Sequence, residues 1–477
     1  MALNHISNAA VRSVSGQTLP VIDPADGQPY DTLERSNAVD IDLAVQSARH
    51  CFERTWSRTT AAERGRLLMK LSQLVAEHAD QLAAIEQRDC GKPVSQAQAD
   101  ARALARYMEF YAGACDKLHG DTIPYLNGYS VLTWREPHGV TGHVVPWNYP
   151  MQIFGRCVGA ALAAGNVCVV KPSEDACLSL LRVAELAVQA GFPAGCINIV
   201  TGYGHEVGDA LARHPGIDHI SFTGSPRVGT LIQQAAAERH CPVTLELGGK
   251  GPQVVFDDAD IDAALPIIVN AIVQNSGQTC SAGSRLLVQR RLYEPLLERL
   301  GQRFAALRAG PPAHNLDLGP LIRHSQLERV QSFLAQAKSD GIPTVAQGRV
   351  VDEAHPAGFY MAPTLLRDVP ASHRLAQEEV FGPVLSSMAF DDEDHAVELA
   401  NFTPFGLVAG VWTRDGARQF RMAKRLRAGQ LFVNHYGAGG GVELPFGGVK
   451  SSGHGREKGF EALYGFTTLK TVAFHHG

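Results

Sequence analysis

The feature that most constrains the fold is an alternation of short apolar runs with longer amphipathic segments, which begins near residue 140. Four of these runs end in turns that contain glycine or proline, at 167–170, 197–200, 219–222 and 243–247. This pattern predicts parallel strands joined by helices, the arrangement of a doubly wound α/β sheet. A second alternating series extends from 253 to 433, with strands predicted near 254, 286, 408 and 432. The sequence therefore predicts two α/β units.

The first third of the chain shows helical rather than strand periodicity. Thr60 and Glu63 have the spacing of a capping box and predict the start of a helix. Apolar residues follow at helical spacing, and a second such stripe runs from 104 to 111. We expect these residues to form core rather than to carry chemistry.

Bulk composition limits the class of protein. The chain has 477 residues, of which 45% are hydrophobic and 19% charged, enough for two or three structural units. A net charge of −5 without basic runs argues against nucleic-acid binding, and neither a membrane-spanning stretch nor a secretory leader is apparent. The nine cysteines include no Cys-x-x-Cys pair. We therefore expect a cytoplasmic protein with free thiols and without a metal, nucleic-acid or membrane partner.

Cys280 is the candidate nucleophile. It lies among small and polar neighbours in Asn-Ser-Gly-Gln-Thr-Cys-Ser at 275–281. A reactive thiol needs solvent access and a setting that favours the thiolate, whereas a structural cysteine usually lies in an apolar run. Cys168, within the apolar run at 167–170, has the second pattern and is expected in the core.

Two further positions are candidates for chemistry. Glu246 ends an apolar run just before two glycines, which places it at the carboxyl edge of the sheet, where open α/β sheets build their sites. The alternative is a strand-end carboxylate paired with Lys250 or Arg285. Asn148 lies in a loop made rigid by two prolines, which can hold an amide at a fixed point; the alternative is an ordinary turn asparagine.

Taken together, these segments resemble the aldehyde dehydrogenase superfamily over nearly the whole chain. The motifs that carry the resemblance are Pro-Trp-Asn at 146–148, Lys-Pro-Ser-Glu at 171–174, Phe-Thr-Gly-Ser at 222–225, Leu-Glu-Leu-Gly-Gly-Lys at 245–250, Gly-Gln-Thr-Cys at 277–280, Glu-Glu-Val-Phe-Gly-Pro at 378–383, Pro-Phe-Gly-Gly at 445–448 and Ser-Gly-His-Gly-Arg-Glu at 452–457. The resemblance implies an NAD-dependent, non-acylating aldehyde dehydrogenase.

The resemblance also assigns catalytic roles. Cys280 would form a thiohemiacetal and then a thioester, while the Asn148 amide and the Cys280 backbone N–H hold the oxyanion. Glu246 would activate water to hydrolyse the thioester. Glu457 matches a position linked to proton relay, with an ion pair to Arg456 or Lys458 as the alternative.

By the same resemblance, the chain divides into three parts. An NAD-binding domain would comprise 1–118 and 138–248, a catalytic domain 249–450, and a small β oligomerisation module 119–137 and 451–477. Residues 467–474 suit an extended edge strand, and a strand of that length needs a partner. We therefore expect a homodimer or a homotetramer.

The nucleotide site is predicted without the usual Gly-x-Gly-x-x-Gly fingerprint, which is absent. Residues 222–229 follow a strand and open a helix, whose N-terminus favours a phosphate, although such a segment often only turns the chain. The resemblance makes it the pyrophosphate segment and places Lys171 and Glu174 at the adenosine ribose, where Glu174 would repel a 2′-phosphate and favour NAD over NADP. The expected cofactor contacts are Val145, Trp147, Lys171, Ser173, Glu174, Gly204, Phe222, Thr223, Gly224, Ser225, Gly229, Leu247, Glu379 and Phe381.

The substrate pocket gives two indications that favour different substrates. Tyr149, Arg156 and Ser281 are expected to line it. Arg156 stands where relatives that oxidise succinic semialdehyde carry an arginine, but the second arginine of those relatives is Gln274 here. A local salt bridge of Arg156 is the alternative. The glycine-rich loop 437–441 lacks the bulky side chains common in relatives, which predicts a wider mouth for larger, aromatic aldehydes.

Two other functions stay open on the sequence. A coenzyme-A-acylating relative would transfer the thioester instead of hydrolysing it, and Glu246 argues against this because a positioned base favours water. A catalytically silent structural or binding protein on the same scaffold should have lost Cys280, Glu246 or Asn148, and all three are present.

Overall fold

The computed structural model describes residues 1–437 and 441–477. The helices are α1 (Ala38–Arg54), α2 (Ala61–Glu77), α3 (Ala79–Cys90), α4 (Val94–Ala114), α5 (Pro150–Ala164), α6 (Leu178–Ala190), α7 (Asp209–Arg213), α8 (Pro226–Ala237), α9 (Ile261–Val273), α10 (Arg290–Ala306), α11 (His324–Ser339), α12 (Arg374–Gln377), α13 (Glu393–Asn401), α14 (Gly416–Arg425) and α15 (Glu461–Gly465).

The strands are β1 (Asn4–Ile6), β2 (Ala9–Val11), β3 (Thr18–Ile22), β4 (Pro29–Glu34), β5 (Thr122–Ile123), β6 (Tyr129–Pro137), β7 (Val140–Val145), β8 (Val167–Pro172), β9 (Ile197–Ile199), β10 (His219–Thr223), β11 (Val243–Glu246), β12 (Pro252–Val255), β13 (Arg285–Gln289), β14 (Arg308–Ala309), β15 (Thr344–Gln347), β16 (Arg349–Val350), β17 (Thr364–Leu366), β18 (Val384–Phe390), β19 (Val408–Trp412), β20 (Gln430–Val433), β21 (Gly453–His454) and β22 (Thr467–His475).

Two doubly wound sheets form the body of the molecule. The first has the order β2-β1-β9-β8-β7-β10-β11-β21, and the strands from β9 to β11 are parallel. The second has the order β15-β17-β18-β13-β12-β19-β20, parallel except for β15. Buried apolar side chains form a separate core around each sheet. The predicted fold class, two doubly wound α/β units, is confirmed.

The helix α5 fixes one wall of the first sheet. Fourteen of its fifteen residues are buried, because it packs on the sheet on one side and on α4 on the other. Gly155 and Gly159 permit this packing: an added Cβ would lie 2.9 Å from side-chain atoms of Tyr107 and Tyr111, respectively. Close packing on both sides leaves α5 little freedom to shift. The helix begins at Pro150, two residues after Asn148.

A third, small sheet has the order β22-β6-β5, and β22 pairs with β6 over nine residues. The other edge of β22 has no strand beside it in the described part of the chain. Leu469, Phe474 and Trp134 are exposed on this sheet. β21 lies antiparallel to β11 at the edge of the first sheet. The C-terminal segment therefore contributes one strand to the first sheet and another to the small sheet.

No helix among the described residues has both the length and the apolar character needed to cross a membrane.

Candidate active site

Glu246 is the last residue of β11 and lies at the carboxyl edge of the first sheet, opposite Thr223 of β10. Its side chain is buried, and within the described residues neither carboxylate oxygen has a hydrogen-bond partner. The alternative pairing with Arg285 is wrong, because that guanidinium donates to the backbone carbonyls of Lys250, Leu399 and Ala400. Burial and the nearby Glu457 raise the pKa of Glu246 well above its usual range, against the opposing effect of Arg156.

Glu246 is covered by the segment at 445–448. A Cβ added at Gly447 would lie 2.8 Å from Glu246 Oε1. Glycine at this position therefore lets the backbone approach the carboxylate closely, and a larger residue would push one of them away. The close contact explains how the Pro-Phe-Gly-Gly motif, distant in sequence, becomes part of the site.

Cys280 differs from the other cysteines in its exposure. It is partly exposed, whereas the other eight cysteines, including Cys168 on β8, are buried. Its apolar neighbours include Leu407, Tyr436 and Phe446, which form a small hydrophobic cluster beside it. Burial raises the pKa of the Cys280 thiol to about 12, although Arg156 acts in the opposite direction. The thiol therefore holds its proton at neutral pH until a base or a bound cation favours the thiolate.

The loop that carries Cys280 has a strained and well-anchored backbone. Asn275, Ser276 and Gly277 have φ of 46°, 55° and 75°, in the left-handed region. Such strain persists only where the surroundings fix it, and it is concentrated at functional sites. Ser276 Oγ donates to the Gly319 carbonyl at 2.8 Å, and a Cβ added at Gly277 would lie 2.3 Å from the backbone of Gly382.

Asn148 is hydrogen-bonded into the same loop. Its Nδ2 donates to the Gln278 carbonyl at 3.0 Å, and Asn275 Nδ2 donates to the Asn148 carbonyl at 2.9 Å. The structure thus brings the Asn148 amide beside the segment that ends in Cys280. An amide nitrogen has two hydrogens, so Asn148 retains a second N–H that can donate to an oxyanion at the thiol.

Tyr149 also contacts the loop at 275–281 that carries Cys280. The hydroxyls of Tyr149 and Thr279 lie 2.9 Å apart, one residue before Cys280. Both Tyr149 and Ser281, the other predicted pocket residue on this loop, are partly exposed. The ring packs against the first core, and its hydroxyl contacts the loop that carries Cys280.

Arg156 and Glu457 form a buried ion pair that the sequence did not indicate. Both side chains are almost completely inaccessible, at 6% and 0% exposure, so neither reaches bulk water. The guanidinium also donates to Thr223 Oγ1 at 3.4 Å, and Ser221 Oγ donates to Glu457 Oε1 at 3.0 Å. Ser221 and Thr223 lie on one face of β10, which therefore supports the ion pair. Glu457 therefore pairs with Arg156, which was not among its predicted partners.

The predicted adenosine end of the cofactor site lies at the carboxyl ends of β7 and β8. Lys171 Nζ donates to Glu174 Oε2 at 2.8 Å, and the Ser173 N–H donates to the Val145 carbonyl at 2.8 Å. Across the cleft, a Cβ added at Gly204 would meet only Lys171 Nζ, at 4.0 Å. Gly204 therefore brings backbone without a side chain close to the lysine–glutamate pair.

The predicted pyrophosphate segment has the geometry of an anion-binding turn. Ser225 is the N-cap of α8, and its side chain accepts from the Val228 N–H at 3.4 Å. A Cβ added at Gly229 would lie 2.6 Å from Leu247, and one at Gly224 would lie 2.6 Å from the ring of Phe222. The two glycines therefore allow α8 to pack closely against the first sheet. The free backbone N–H groups at the start of α8 then lie at the edge of that sheet.

The predicted nicotinamide end brings together residues from both sheets. Glu379 Oε1 accepts from the Gly249 N–H at 2.9 Å, and a Cβ added at Gly248 would lie 2.4 Å from Glu379 Oε2. Burial raises the pKa of Glu379 to about 7, opposed by the Gly249 N–H. The rings of Trp147 and Phe381 meet edge to face, 5.4 Å apart. The structure therefore holds the Glu379 carboxyl group against the turn that follows β11.

Several site residues were not singled out from the sequence. Gln278 is fully buried, donates to the Asn275 carbonyl at 3.1 Å and accepts from the Ile322 N–H at 2.9 Å. Only the concentration of polar residues within 275–281 pointed to it. Lys92, which contacts the ring of Tyr149, was not predicted either, because no pattern in the sequence pointed to it. The predicted loop feature at 437–441 falls largely on residues 438–440, which lie outside the described part of the chain.

Comparison with known proteins agrees with this geometry. The family model described as the aldehyde dehydrogenase family matches residues 11–472. A putative aldehyde dehydrogenase, DhaS, of Bacillus subtilis is 40% identical over 98% of this chain and 94% of its own length. A putative aldehyde dehydrogenase from Burkholderia cenocepacia is 68% identical, with a TM-score of 0.99 and complete coverage of both chains. PnpE in complex with nicotinamide adenine dinucleotide is 39% identical, with a TM-score of 0.97, over 100% of this chain and 98% of that chain.

The chain belongs to the aldehyde dehydrogenase family. The predicted enzyme class, an oxidoreductase that acts on an aldehyde with NAD as the acceptor, is thereby confirmed. The assignment of individual residues stays a prediction.

The burial of the thiols predicts selective alkylation. In the native protein, iodoacetamide should modify Cys280 first, and the rate should rise with pH, because a raised pKa leaves little thiolate at neutral pH. Peptide mapping by mass spectrometry measures this, with urea-unfolded protein as the control in which all cysteines react. Earlier modification of any buried cysteine would contradict the assignment.

Proposed function

We propose that Cys280, Glu246 and Asn148 carry the NAD-dependent oxidation of an aldehyde to a carboxylic acid in this chain. The observation that supports this most is the meeting, at one sheet edge, of a partly exposed thiol, an amide hydrogen-bonded into the thiol's own loop, and a buried carboxylate without a hydrogen-bond partner in the described residues. No two of these groups adjoin in sequence.

In the first step, the Cys280 thiol loses its proton to water, and the resulting thiolate attacks the aldehyde carbon. The oxygen of the resulting thiohemiacetal accepts hydrogen bonds from Asn148 Nδ2 and from the Cys280 backbone N–H. Donors that are fixed before the reaction act more strongly than mobile water, and removal of one typically costs about 2.7–4 kcal/mol of transition-state stabilisation. The hydrogen bonds of Asn148 and Asn275 hold this donor in place.

NAD, when bound, accepts the hydride from the substrate carbon. The chain's contribution to this step is to bind and orient: Lys171 and Glu174 at the adenosine ribose, the N-terminus of α8 at the phosphates, and Glu379 at the second ribose. A thioester on Cys280 is the product of the step.

Glu246 then activates water to hydrolyse the thioester. The carboxyl group must first lose its proton, because burial and the nearby Glu457 raise its pKa well above the usual range. We propose that the proton leaves toward Glu457, which lies close enough to raise the pKa of Glu246 and is held by Arg156 and Ser221. An unpaired base aimed at the site supports hydrolysis over transfer to coenzyme A.

We propose that the substrate is a neutral aldehyde rather than an acidic one. The guanidinium of Arg156 is occupied by Glu457 and buried, so it has no free charge to offer to a carboxylated tail. The side chains that pack near Cys280 are apolar or aromatic, among them Leu407, Tyr436 and Phe446. Such a pocket favours a substrate with an apolar or aromatic body.

We further propose a homodimer or homotetramer in the cytoplasm. The nine-residue strand β22 leaves a free edge with exposed apolar side chains, and pairing with another copy would cover it. All nine cysteines are free thiols, as a reducing compartment favours. The predicted division into an NAD-binding domain, a catalytic domain and an oligomerisation module is part of this proposal.

The central test replaces the nucleophile. Cys280→Ala should lower aldehyde oxidation by at least roughly 10³-fold, because no covalent intermediate can form. NAD binding, measured by fluorescence quenching, should change little, and Cys241→Ala serves as the control at another thiol. Retention of appreciable activity by Cys280→Ala would exclude the proposed nucleophile.

The raised pKa of Glu246 predicts the pH dependence. The wild-type steady-state rate should increase with pH above the usual titration range of a glutamate, as Glu246 loses its proton and becomes a base. Glu246→Gln should remove this rise, slow hydrolysis by roughly 10²–10⁴-fold and leave a rapid burst of NADH. Stopped-flow absorbance separates the two phases. Equal slowing of burst and steady state would mean that Glu246 serves another purpose.

The position of Glu174 predicts cofactor choice. Its carboxylate would lie near a 2′-phosphate, so kcat/KM with NAD should exceed that with NADP by roughly tenfold or more. Glu174→Ser should narrow the ratio, since it removes the negative charge and keeps a hydroxyl. Steady-state kinetics with both dinucleotides gives the ratio, and an equal or higher kcat/KM with NADP in the wild type would reject this role.

The ion pair of Arg156 predicts a substrate-independent effect. Arg156→Met leaves Glu457 buried and uncompensated, a loss of about 3–5 kcal/mol in comparable pairs. Activity on a neutral aldehyde and on a carboxylated one of similar size should therefore fall by the same factor, within about threefold. Arg156→Lys, which keeps the charge, is the matched control. A loss confined to the carboxylated aldehyde would show that Arg156 contacts the substrate.

A further inference from the structure

A second buried cluster of charges lies outside the catalytic groups, between α3 and α4. Lys92 Nζ lies 2.7 Å from Glu86 Oε1 and also pairs with Asp100, and all three side chains are at most 4% exposed. Burial raises the pKa of Glu86 to about 8, and the two carboxylates keep the pKa of Lys92 high despite its burial. Buried ions of this kind are costly and are not explained by stability alone.

The cluster faces the loop that carries Asn148. Lys92 Nζ lies 4.2 Å from the centre of the Tyr149 ring, a cation–π contact between a buried ammonium and the residue after Asn148. On the residue before Asn148, the Trp147 carbonyl accepts from Cys90 Sγ at 3.2 Å. Both neighbours of Asn148 are therefore held from the same side.

The cluster also contacts the first turn of α5. Glu86 Oε2 accepts from the Met151 N–H at 3.3 Å, and Gln152 Nε2 donates to Asp100 Oδ1 at 2.5 Å. The N-cap residue of α5, Tyr149, makes no side-chain capping bond. A side-chain oxygen from α3 thus accepts from a backbone N–H in the first turn of the helix, as a capping residue would.

On its other side, the loop that carries Asn148 contacts the loop that carries Cys280. Asn148 Nδ2 donates to the Gln278 carbonyl, and the hydroxyls of Tyr149 and Thr279 lie 2.9 Å apart. Contacts therefore run without a gap from Lys92 through the ring and hydroxyl of Tyr149 to Thr279, the residue before Cys280. The loop is held between a fixed charge cluster and the thiol.

We propose that Glu86, Lys92 and Asp100 are positioning residues, which set the placement of Tyr149 and of the Asn148 amide relative to Cys280. They touch neither substrate nor cofactor; they act through the ring of Tyr149 and through the first turn of α5. The proposal rests on the proposed function, since it needs Cys280 and Asn148 to carry the first step. Its consequence is that the rate of thiohemiacetal formation and oxidation depends on a charge cluster outside the substrate pocket.

The experiment measures single-turnover NADH formation with enzyme in excess over NAD. This rate constant belongs to folded, competent molecules and does not depend on how many there are. Lys92→Met should lower it by roughly tenfold with little change in the Kd for NAD, and Tyr149→Phe should lower it by roughly three- to tenfold through loss of the hydroxyl contact. The rate constant of the double variant should be only slightly lower than that of the more severe single variant, because Lys92 acts through Tyr149.

Two further variants separate positioning from folding. Asp100→Asn keeps the shape of the side chain and removes its charge. Its single-turnover rate constant should also fall, and it takes the place of Lys92→Met if the Lys92 variant does not fold. Arg49→Met removes a half-buried ion pair with Asp218, far along the chain from the loop, and should lower Tm without changing the rate constant.

The outcomes are distinct. An unchanged rate constant in Lys92→Met and Asp100→Asn, with a lower Tm only, would overturn the positioning role. Additive effects of Lys92→Met and Tyr149→Phe would overturn transmission through Tyr149. A wild-type turnover that survives Cys280→Ala would overturn the proposed function itself, and this proposal with it.

Discussion

The structure depends on a buried carboxylate at the end of a parallel strand. Glu246 lies where β11 ends, shielded from water and without a hydrogen-bond partner in the described residues. An isolated charge in such a place is unstable, so the group keeps its proton and its pKa rises. In the proposed mechanism, this group is the base of the hydrolytic step. Gly447 above it and the ion pair of Arg156 and Glu457 beside it complete this environment.

Two buried charge clusters lie on either side of the reacting groups. The pair of Arg156 and Glu457 adjoins Glu246, and the cluster of Lys92 with its two carboxylates adjoins the loop of Asn148. Neither cluster reaches solvent, so their fields are weakly screened compared with those of surface charges. In the proposed mechanism, the first cluster adjusts the pKa of the base and the second positions the amide donor.

Much of the fold followed from local patterns in the sequence. The four predicted strands from 167 to 247 agree with β8, β9, β10 and β11 to within two residues at each end, because each is a short buried run closed by a turn. The capping box at Thr60 and Glu63 is present with both of its hydrogen bonds. By contrast, β18 was not singled out although it is central to the second sheet, since its two serines interrupt the apolar run and bond to backbone carbonyls instead.

Sequence motifs proposed the members of the candidate site but could not give their contacts. Motifs named Cys280, Glu246 and Asn148, yet the partner of Arg156 lies 301 positions away at Glu457, and no local pattern reports such a pairing. The C-terminal segment shows the same limit: its extended character predicted β22, whereas the return of β21 to the first sheet depends on long-range packing. Lys92 had no signal at all, because a buried lysine is recognisable only by its neighbours.

The most direct measurement of the central claim is the mass of the covalent intermediate. Glu246→Gln protein mixed with NAD and a neutral aromatic aldehyde should accumulate one acyl group, and peptide analysis should locate it on Cys280. The additional substitution Cys280→Ala should abolish the adduct. Oxidation of the aldehyde without an adduct, or an acyl group on a different residue, would contradict catalysis by a Cys280 thioester that Glu246 resolves.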